Sequence, residues 1–308
     1  MLVTLRVAFN GTLIALNTLV HATPLLLLAL IKLIVPIPWF RHFISAVLAA
    51  IAESWIAVNS ALIRLLTGLH VDVNELPSLR RNGRYLLICN HQSVADIPVV
   101  QGVLNRRIPL LRFFLKQELI WVPVLGLAWW ALDFPFMHRT TKSQLAKNPA
   151  LAGKDRHATR AACEKFRHTP VSIINFVEGT RFTAAKHSSR KSPYAHLLAP
   201  RSGGIAYVVE AMGDVLDGVI DVSLFYPGGI PGAVDLFAGK VKRVAMKVEL
   251  LSLPANLRGG DYAGDAECRK AFQAWLNERW QLKDAWIDSR ARSQVDSGAD
   301  SRAGRPGA

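Results

Sequence analysis

His91 and Asp96 form a His-x4-Asp pair directly after an apolar run, Tyr85-Leu-Leu-Ile-Cys89. Five residues do not share a helix face, so the two side chains meet only if the segment turns between them. A carboxylate touching an imidazole fixes its tautomer and stabilises the imidazolium, the layout of a general base awaiting a hydroxyl. A second group of reactive residues, Glu178-Gly-Thr-Arg181, follows the run Val171-Ser-Ile-Ile-Asn-Phe-Val177. Gly179 allows a sharp turn and close approach of a ligand to the backbone. Free N–H groups there, with Thr180 and Arg181 beside them, suit a phosphate. Glu178 is an acceptor when ionised, able to orient Arg181 or to grip a substrate hydroxyl.

These residues need elements to hold them. Residues 85–89, 171–177 and 219–225 are apolar runs of strand length bounded by turn signals, and each reads as a buried strand. Residues 158–167 read as a helix, and Asp96 before Pro98 reads as a helix start. Strands alternating with helices predict an α/β domain over 69–255, with a mixed, largely buried sheet flanked by helices. Functional groups then gather at strand ends and loops.

Ahead of that domain, Val7–Ile31 has no charged side chain and Phe43–Ile63 has one, Glu53. Each is long enough to cross a bilayer, which takes about 20 apolar residues. Pro36 and Pro38 set a tight extended connection between them. Residues 1–68 are therefore expected to be a hydrophobic two-helix membrane region. A membrane hairpin and a monotopic pair in one leaflet both fit, and a buried core hairpin also fits. A signal peptide does not, because the apolar part is too long. Glu53 and Asn59 argue against lipid exposure of the second helix. Ile120–Leu132 is a shorter apolar stretch with three tryptophans, either a surface dipping into the bilayer interface or a core helix. Residues 140–155 read as a polar, flexible segment, 256–288 as a C-terminal amphipathic helix, and 289–308 as a disordered tail.

Composition narrows the partners. The 308 residues are 51% hydrophobic and 19% charged, which excludes low-hydropathy disorder for the whole chain. Lys and Arg outnumber Asp and Glu by 37 to 23, a net +14 that favours anionic partners. Between Arg139 and Arg201 there are 13 basic and three acidic residues, suited to anionic membrane lipid or an acidic donor. Nucleic acid is not expected, since no zinc, RNP-type or helix-turn-helix signature accompanies the charge. Cys89, Cys163 and Cys268 form neither a disulfide framework nor a C-x-x-C pair, so a reduced compartment is expected and no cysteine-rich metal site.

Together, Asn90-His91-x4-Asp96 and Phe176-Val-Glu-Gly-Thr-Arg181 resemble the leading and third blocks of the membrane-bound glycerolipid and lysophospholipid acyltransferases. Lys116-Gln-Glu-Leu119, Pro123-Val-Leu-Gly126 and Phe136-Met-His-Arg139 are similar to the family's second block, and the likeness extends over roughly 85–230. The family's fourth block carries a proline inside a late apolar strand, and Val219-Ile-Asp-Val-Ser223 has none. Leu198-Ala-Pro-Arg-Ser-Gly-Gly204 is the nearest substitute and resembles that of bacterial inner-membrane members.

The resemblance implies transfer of a fatty acyl group from acyl-CoA or acyl carrier protein to the hydroxyl of a lysophospholipid, lysophosphatidate in type. His91 would be the general base and Asp96 its partner. Lys116, Arg139, Glu178, Gly179, Thr180 and Arg181 would bind substrate, with Arg139 and Arg181 as phosphate clamps. No metal or cofactor is needed, because a thiolate leaves readily. The implied location is a membrane, the bacterial inner membrane, with the active site on the cytoplasmic side. The competing reading is a catalytically inactive lipid-binding protein of the same fold on a membrane surface.

Overall fold

The computed structural model describes residues 1–137 and 154–303. Two long helices open the chain, α1 (Leu2–Ile34) and α2 (Pro38–Thr67), joined by three residues. Pro38 sits at the first turn of α2, where its missing N–H costs nothing, and Gly68 closes that helix in the left-handed conformation. The α/β domain follows: β1 (His70–Val73), β2 (Arg84–Cys89), α3 (Asp96–Leu104), β3 (Leu111–Phe113), β4 (Leu115–Lys116), a 3-10 turn (Gln117–Trp121), α4 (Leu125–Ala131) and β5 (Phe136–Met137). After the gap come α5 (Lys154–Phe166), β6 (Val171–Phe176), α6 (Ala184–Ser189), α7 (Gly203–Met212), β7 (Gly218–Phe225), β8 (Arg243–Leu251) and α8 (Ala266–Ala303).

The fold is mixed α/β. One six-stranded sheet runs β1-β8-β7-β2-β6-β3, and all its pairings are parallel except β7 with β8. The central strands β7, β2 and β6 are covered on both faces, which is why they read as continuous apolar runs rather than alternating ones. One face packs on α5, α7 and α8 through Phe166, Ile205, Val209, Phe272, Leu276 and Trp280. The other packs on α3 and the end of α2 through Ile63, Val99, Val100 and Leu104. In β2, β6 and β7 the carboxyl ends lie side by side, with Cys89 in register with both Phe176 and Val222. Open parallel sheets bind ligands in the crevice at that end.

Strands β1, β3 and β8 are absent from the sequence reading. β8 is exposed at Arg243 and Glu249's neighbour Leu250, so its pattern lacks the unbroken apolar run of a central strand. The 120–132 stretch divides between its two readings. Ala128, Ala131 and Leu132 are core, packed with Leu25, Leu48 and Ile56 of the hairpin, while Trp121, Leu127 and Trp130 are exposed. Gly126 is required there, since a Cβ would fall 2.0 Å from the Ile120 carbonyl oxygen. The C-terminal helix runs to Ala303, where the sequence suggests a tail from Ser289. Ile287 is buried and Arg292 pairs with Asp288 one turn back at 2.7 Å, so the helix continues past the last large apolar residue. The 140–155 segment lies almost wholly outside the described residues.

Both hydrophobic helices meet the length and composition needed to cross a membrane. Asn10, Asn17, Glu53 and Asn59 are turned inward. Asn17 donates to Asn59 at 2.8 Å and His21 meets Ser54 at 3.2 Å, both between α1 and α2. Glu53, buried, accepts from Arg81 of the α/β domain at 2.5 Å. Asn10 donates to the Phe237 carbonyl at 2.7 Å. The outward face is apolar, with Leu5, Phe9, Leu16, Val20, Leu27 and Leu30 exposed.

Candidate active site

The site grows from the carboxyl end of β2. Asn90 is fully buried and its carboxamide closes two hydrogen bonds to Leu224 of β7, at 2.8 and 2.9 Å. That clamp ends the strand and turns the chain so that His91 leaves the sheet at a fixed angle. Asp96, the first residue of α3, folds back beneath the loop. Its Oδ2 receives the His91 Nδ1 at 2.8 Å and the backbone N–H groups of Gln92 and Ser93 at 2.7 and 2.9 Å. Its Oδ1 accepts from the Tyr226 hydroxyl at 2.6 Å. The carboxylate has no solvent exposure, so four donors replace its water. Burial, and then the charge of Asp96, pushes the Tyr226 hydroxyl well above its ordinary pKa and keeps it a donor.

An acceptor-only carboxylate at Nδ1 makes that nitrogen the protonated one and leaves Nε2 with the lone pair. Nε2 has no protein partner among the described residues. The ring lies on Phe176, centroids 4.1 Å apart and planes 19° apart, which fixes its tilt. Phe113 continues the row at 6.3 Å from Phe176, and Phe134 lies 6.4 Å further on, reaching the core that the hairpin shares. One wall of the site is therefore apolar.

The opposite wall is the turn after β6. Gly179 has φ +70°, a conformation that side chains strain. Glu178 is fully buried; Oε1 accepts from the His91 N–H at 3.1 Å and Oε2 from the Leu198 N–H at 3.2 Å. Both oxygens are thus committed to backbone, and Glu178 forms no bond with Arg181 among the described residues. It ties the His91 loop, its own turn and the 195–201 loop together. Burial raises its pKa to about 8, with the two N–H donors and Lys283 pulling in the other direction. The Phe182 N–H to His91 carbonyl bond, 2.7 Å, closes the same junction.

Arg181 is exposed and its guanidinium pairs with no acid among the described residues. The Lys186 ammonium holds Thr180 Oγ1 at 2.8 Å and the Arg181 carbonyl at 3.0 Å. Lys116 is exposed at the end of β4, in register with Met137, and makes no hydrogen bond or ion pair among the described residues. Arg139 lies outside the described residues. The structure thus unites His91, Asp96, Glu178, Gly179, Thr180 and Arg181, and Lys116 has no hydrogen bond or ion pair to any of them among the described residues. Among the described residues no group of three or more His, Cys, Asp or Glu could hold a metal ion.

Tyr226 escapes the sequence reading. Its signal is positional: it follows β7 as His91 follows β2 and Glu178 follows β6, three polar groups at the ends of three neighbouring parallel strands.

Residues 70–226, which run from β1 to Tyr226, match the family described as Acyltransferase. The chain belongs to the acyltransferase family. Among curated relatives of this acyltransferase chain, lysocardiolipin acyltransferase 1 of Danio rerio is 26% identical over 255 residues, 76% of this chain and 59% of that protein. The 1-acyl-sn-glycerol-3-phosphate acyltransferase epsilon of Mus musculus is also 26% identical, over 68% of this chain and 58% of the relative. The chain thus spans under two thirds of the length of these relatives. The crystal structure of PlsC, the 1-acyl-sn-glycerophosphate acyltransferase of Thermotoga maritima, shares the fold with a TM-score of 0.50. Its identity is 16%, over 92% of this chain and 97% of that one.

Proposed function

We propose that this chain moves a fatty acyl group from a thioester, acyl-CoA or acyl-ACP, to the free hydroxyl of a lysophospholipid of the lysophosphatidate type. The observation that carries the reading is the His91–Asp96 contact at 2.8 Å, with the other ring nitrogen free of any partner among the described residues. Family membership and the relatives' names support the substrate class.

The steps balance without a covalent enzyme intermediate. Nε2 takes the proton of the lipid hydroxyl as its oxygen attacks the thioester carbonyl carbon. The new C–O bond forms and the carbonyl electrons move to oxygen. The oxyanion collapses, the C–S bond breaks, and the thiolate takes the proton back from the imidazolium. Asp96 balances the charge on His91 while it lasts. Ser93 is no nucleophile in this scheme, since its Oγ donates to the Pro231 carbonyl at 2.9 Å.

The hairpin serves as a monotopic anchor in this reading. α1 has 33 residues and is about 50 Å long. Its first turns touch the α/β domain at Phe237 and its last turns pair with it through Lys32 and Asp133 at 3.2 Å. A helix docked on one domain at both ends lies along a leaflet rather than across it. Anionic lipid would gather at the basic stretch beside it. The proposed location is the cytoplasmic face of a bacterial inner membrane.

The test is His91→Ala in purified protein, assayed for transfer from acyl-CoA to lysophosphatidate. The expected loss is about 10²–10⁴-fold. Full retained activity would refute the assignment.

A further inference from the structure

Arg201 lies in the loop between α6 and α7, outside both reactive blocks. The structure packs it against Gly179. A Cβ built on that glycine would lie 3.6 Å from Arg201 Cδ and 3.9 Å from its Nη1. The side chain is exposed and pairs with no acid among the described residues.

Four cations surround this turn, and they are not equivalent. Lys186 is committed to Thr180 and the Arg181 carbonyl. Arg190 contacts the Glu178 carbonyl at 3.5 Å. Among the described residues Arg181 and Arg201 keep their guanidinium groups free, one following Gly179 in sequence and one resting on it. The single carboxylate within the turn, Glu178, is buried and spent on backbone. Two unspent guanidinium forks beside a turn with a positive-φ glycine suit a bidentate oxyanion such as phosphate.

The loop that carries Arg201 is held from several sides. The Arg201 N–H donates to the Val177 carbonyl at 2.8 Å, and the Leu198 N–H to Glu178 at 3.2 Å. From α8, Trp280 donates to the Leu198 carbonyl at 3.1 Å and Gln273 to the Pro200 carbonyl at 3.1 Å. The backbone under this surface arginine is therefore fixed before any ligand arrives, which lowers the ordering cost of binding.

Resting on the acyl-transfer reading, we propose that Arg201, with Arg181, grips the phosphate of the lysolipid acceptor and sets the preference for phosphate-bearing acceptors. The acceptor is favoured over the donor by reach. Glu178 bonds the backbone of His91 itself, so this turn is next to the base. In lysophosphatidate the phosphate sits a few bonds from the reacting hydroxyl, whereas the phosphates of CoA lie beyond a long pantetheine arm.

The experiment compares wild type, Arg201→Ala and Arg201→Lys in mixed micelles, with lysophosphatidate and with phosphate-free monoacylglycerol as acceptors. Arg201→Ala is expected to lower the ratio of kcat/KM for lysophosphatidate over monoacylglycerol by about 10–100-fold, chiefly through KM. Arg201→Lys should recover part of it as a point charge. An unaltered ratio overturns the proposal, and so does a rise in KM for acyl-CoA without a change in the ratio, which would assign Arg201 to the donor. If wild type transfers no acyl group at all, the acyl-transfer reading fails by itself. Lysophosphatidate binding by calorimetry then decides: a dissociation constant about 10-fold weaker in Arg201→Ala upholds the phosphate contact, and equal constants overturn it.

Discussion

Tyr226→Phe removes one oxygen atom and isolates what it does. The hydroxyl donates to Asp96 Oδ1 at 2.6 Å and is the only side-chain donor to that oxygen among the described residues. Asp96 has no exposure, so water cannot replace the lost donor without opening the core. A hydrogen bond to a charged group is worth about 1.5–3 kcal/mol, and a buried acceptor left alone forfeits that in full. For a domain of this size each kcal/mol moves the melting temperature by about 2–4 °C, so a fall of about 3–12 °C is expected. Three of the four donors, His91 and the Gln92 and Ser93 N–H groups, remain on Oδ2, so the carboxylate should pivot about that oxygen and hold His91 less firmly in place. Thiol release from acyl-CoA at saturating acceptor should show kcat down about 10-fold, with acceptor KM little altered. A variant that melts with wild type and keeps kcat within twofold would refute the claim that Tyr226 aims the dyad.

Glu178 gives a pH signature. Its carboxyl is raised from 4.5 to about 8 in the folded state, so the native protein binds a proton more tightly than the unfolded chain. That stability is complete below pH 4.5 and is lost as pH rises towards 8, a slope of a few kcal/mol in total. Thermal melts of Glu178→Gln across this range should be flatter than those of wild type, and an equal slope would exclude Glu178 as its source. Lys283 is buried and holds Asp221 at 2.6 Å, Ser223 at 3.0 Å and the Val222 carbonyl. Lys283→Met should cost about 3 kcal/mol by leaving Asp221 under-compensated, and adding Asp221→Asn should restore part of it; no coupling in that double-mutant cycle would contradict the pairing. For the anchor, Leu2→Cys and Ile37→Cys in reconstituted vesicles should both react with an impermeant thiol reagent from the same side, and opposite sides would mean a spanning α1.

The sequence exposes the dyad and the glycine turn because each directly follows a strand buried on both faces, and such strands are unbroken apolar runs. Contacts that cross long stretches of chain leave no comparable trace. Tyr226 meets Asp96 across 130 residues, and nothing local to Tyr226 marks it. Glu178 misleads for another reason: its partners are the backbone N–H groups of His91 and Leu198, and backbone has no residue identity to read. Arg201 belongs to a stretch noticed for its proline and glycines, while its closeness to Gly179 arises only from the fold. β8 is half exposed and pairs antiparallel, so its pattern is diluted by Lys247 and Glu249. In the front segment the polar residues that spoil a clean span, Asn17, Glu53 and Asn59, are those that join the helices to each other and to the domain.

That joinery makes the hairpin and the α/β domain one plank. With Asn10 bonded to the Phe237 carbonyl, Glu53 to Arg81 and Lys32 to Asp133, no tether of adjustable slack separates the hairpin from the crevice. In the proposed monotopic placement the height of the imidazole above the lipid surface would be a constant of the protein, set by the same side chains that hold the helices to the domain. In that placement a change in lipid packing at the surface would tilt the whole molecule instead of stretching a linker, and would be felt at the crevice as an altered angle of approach for the lipid.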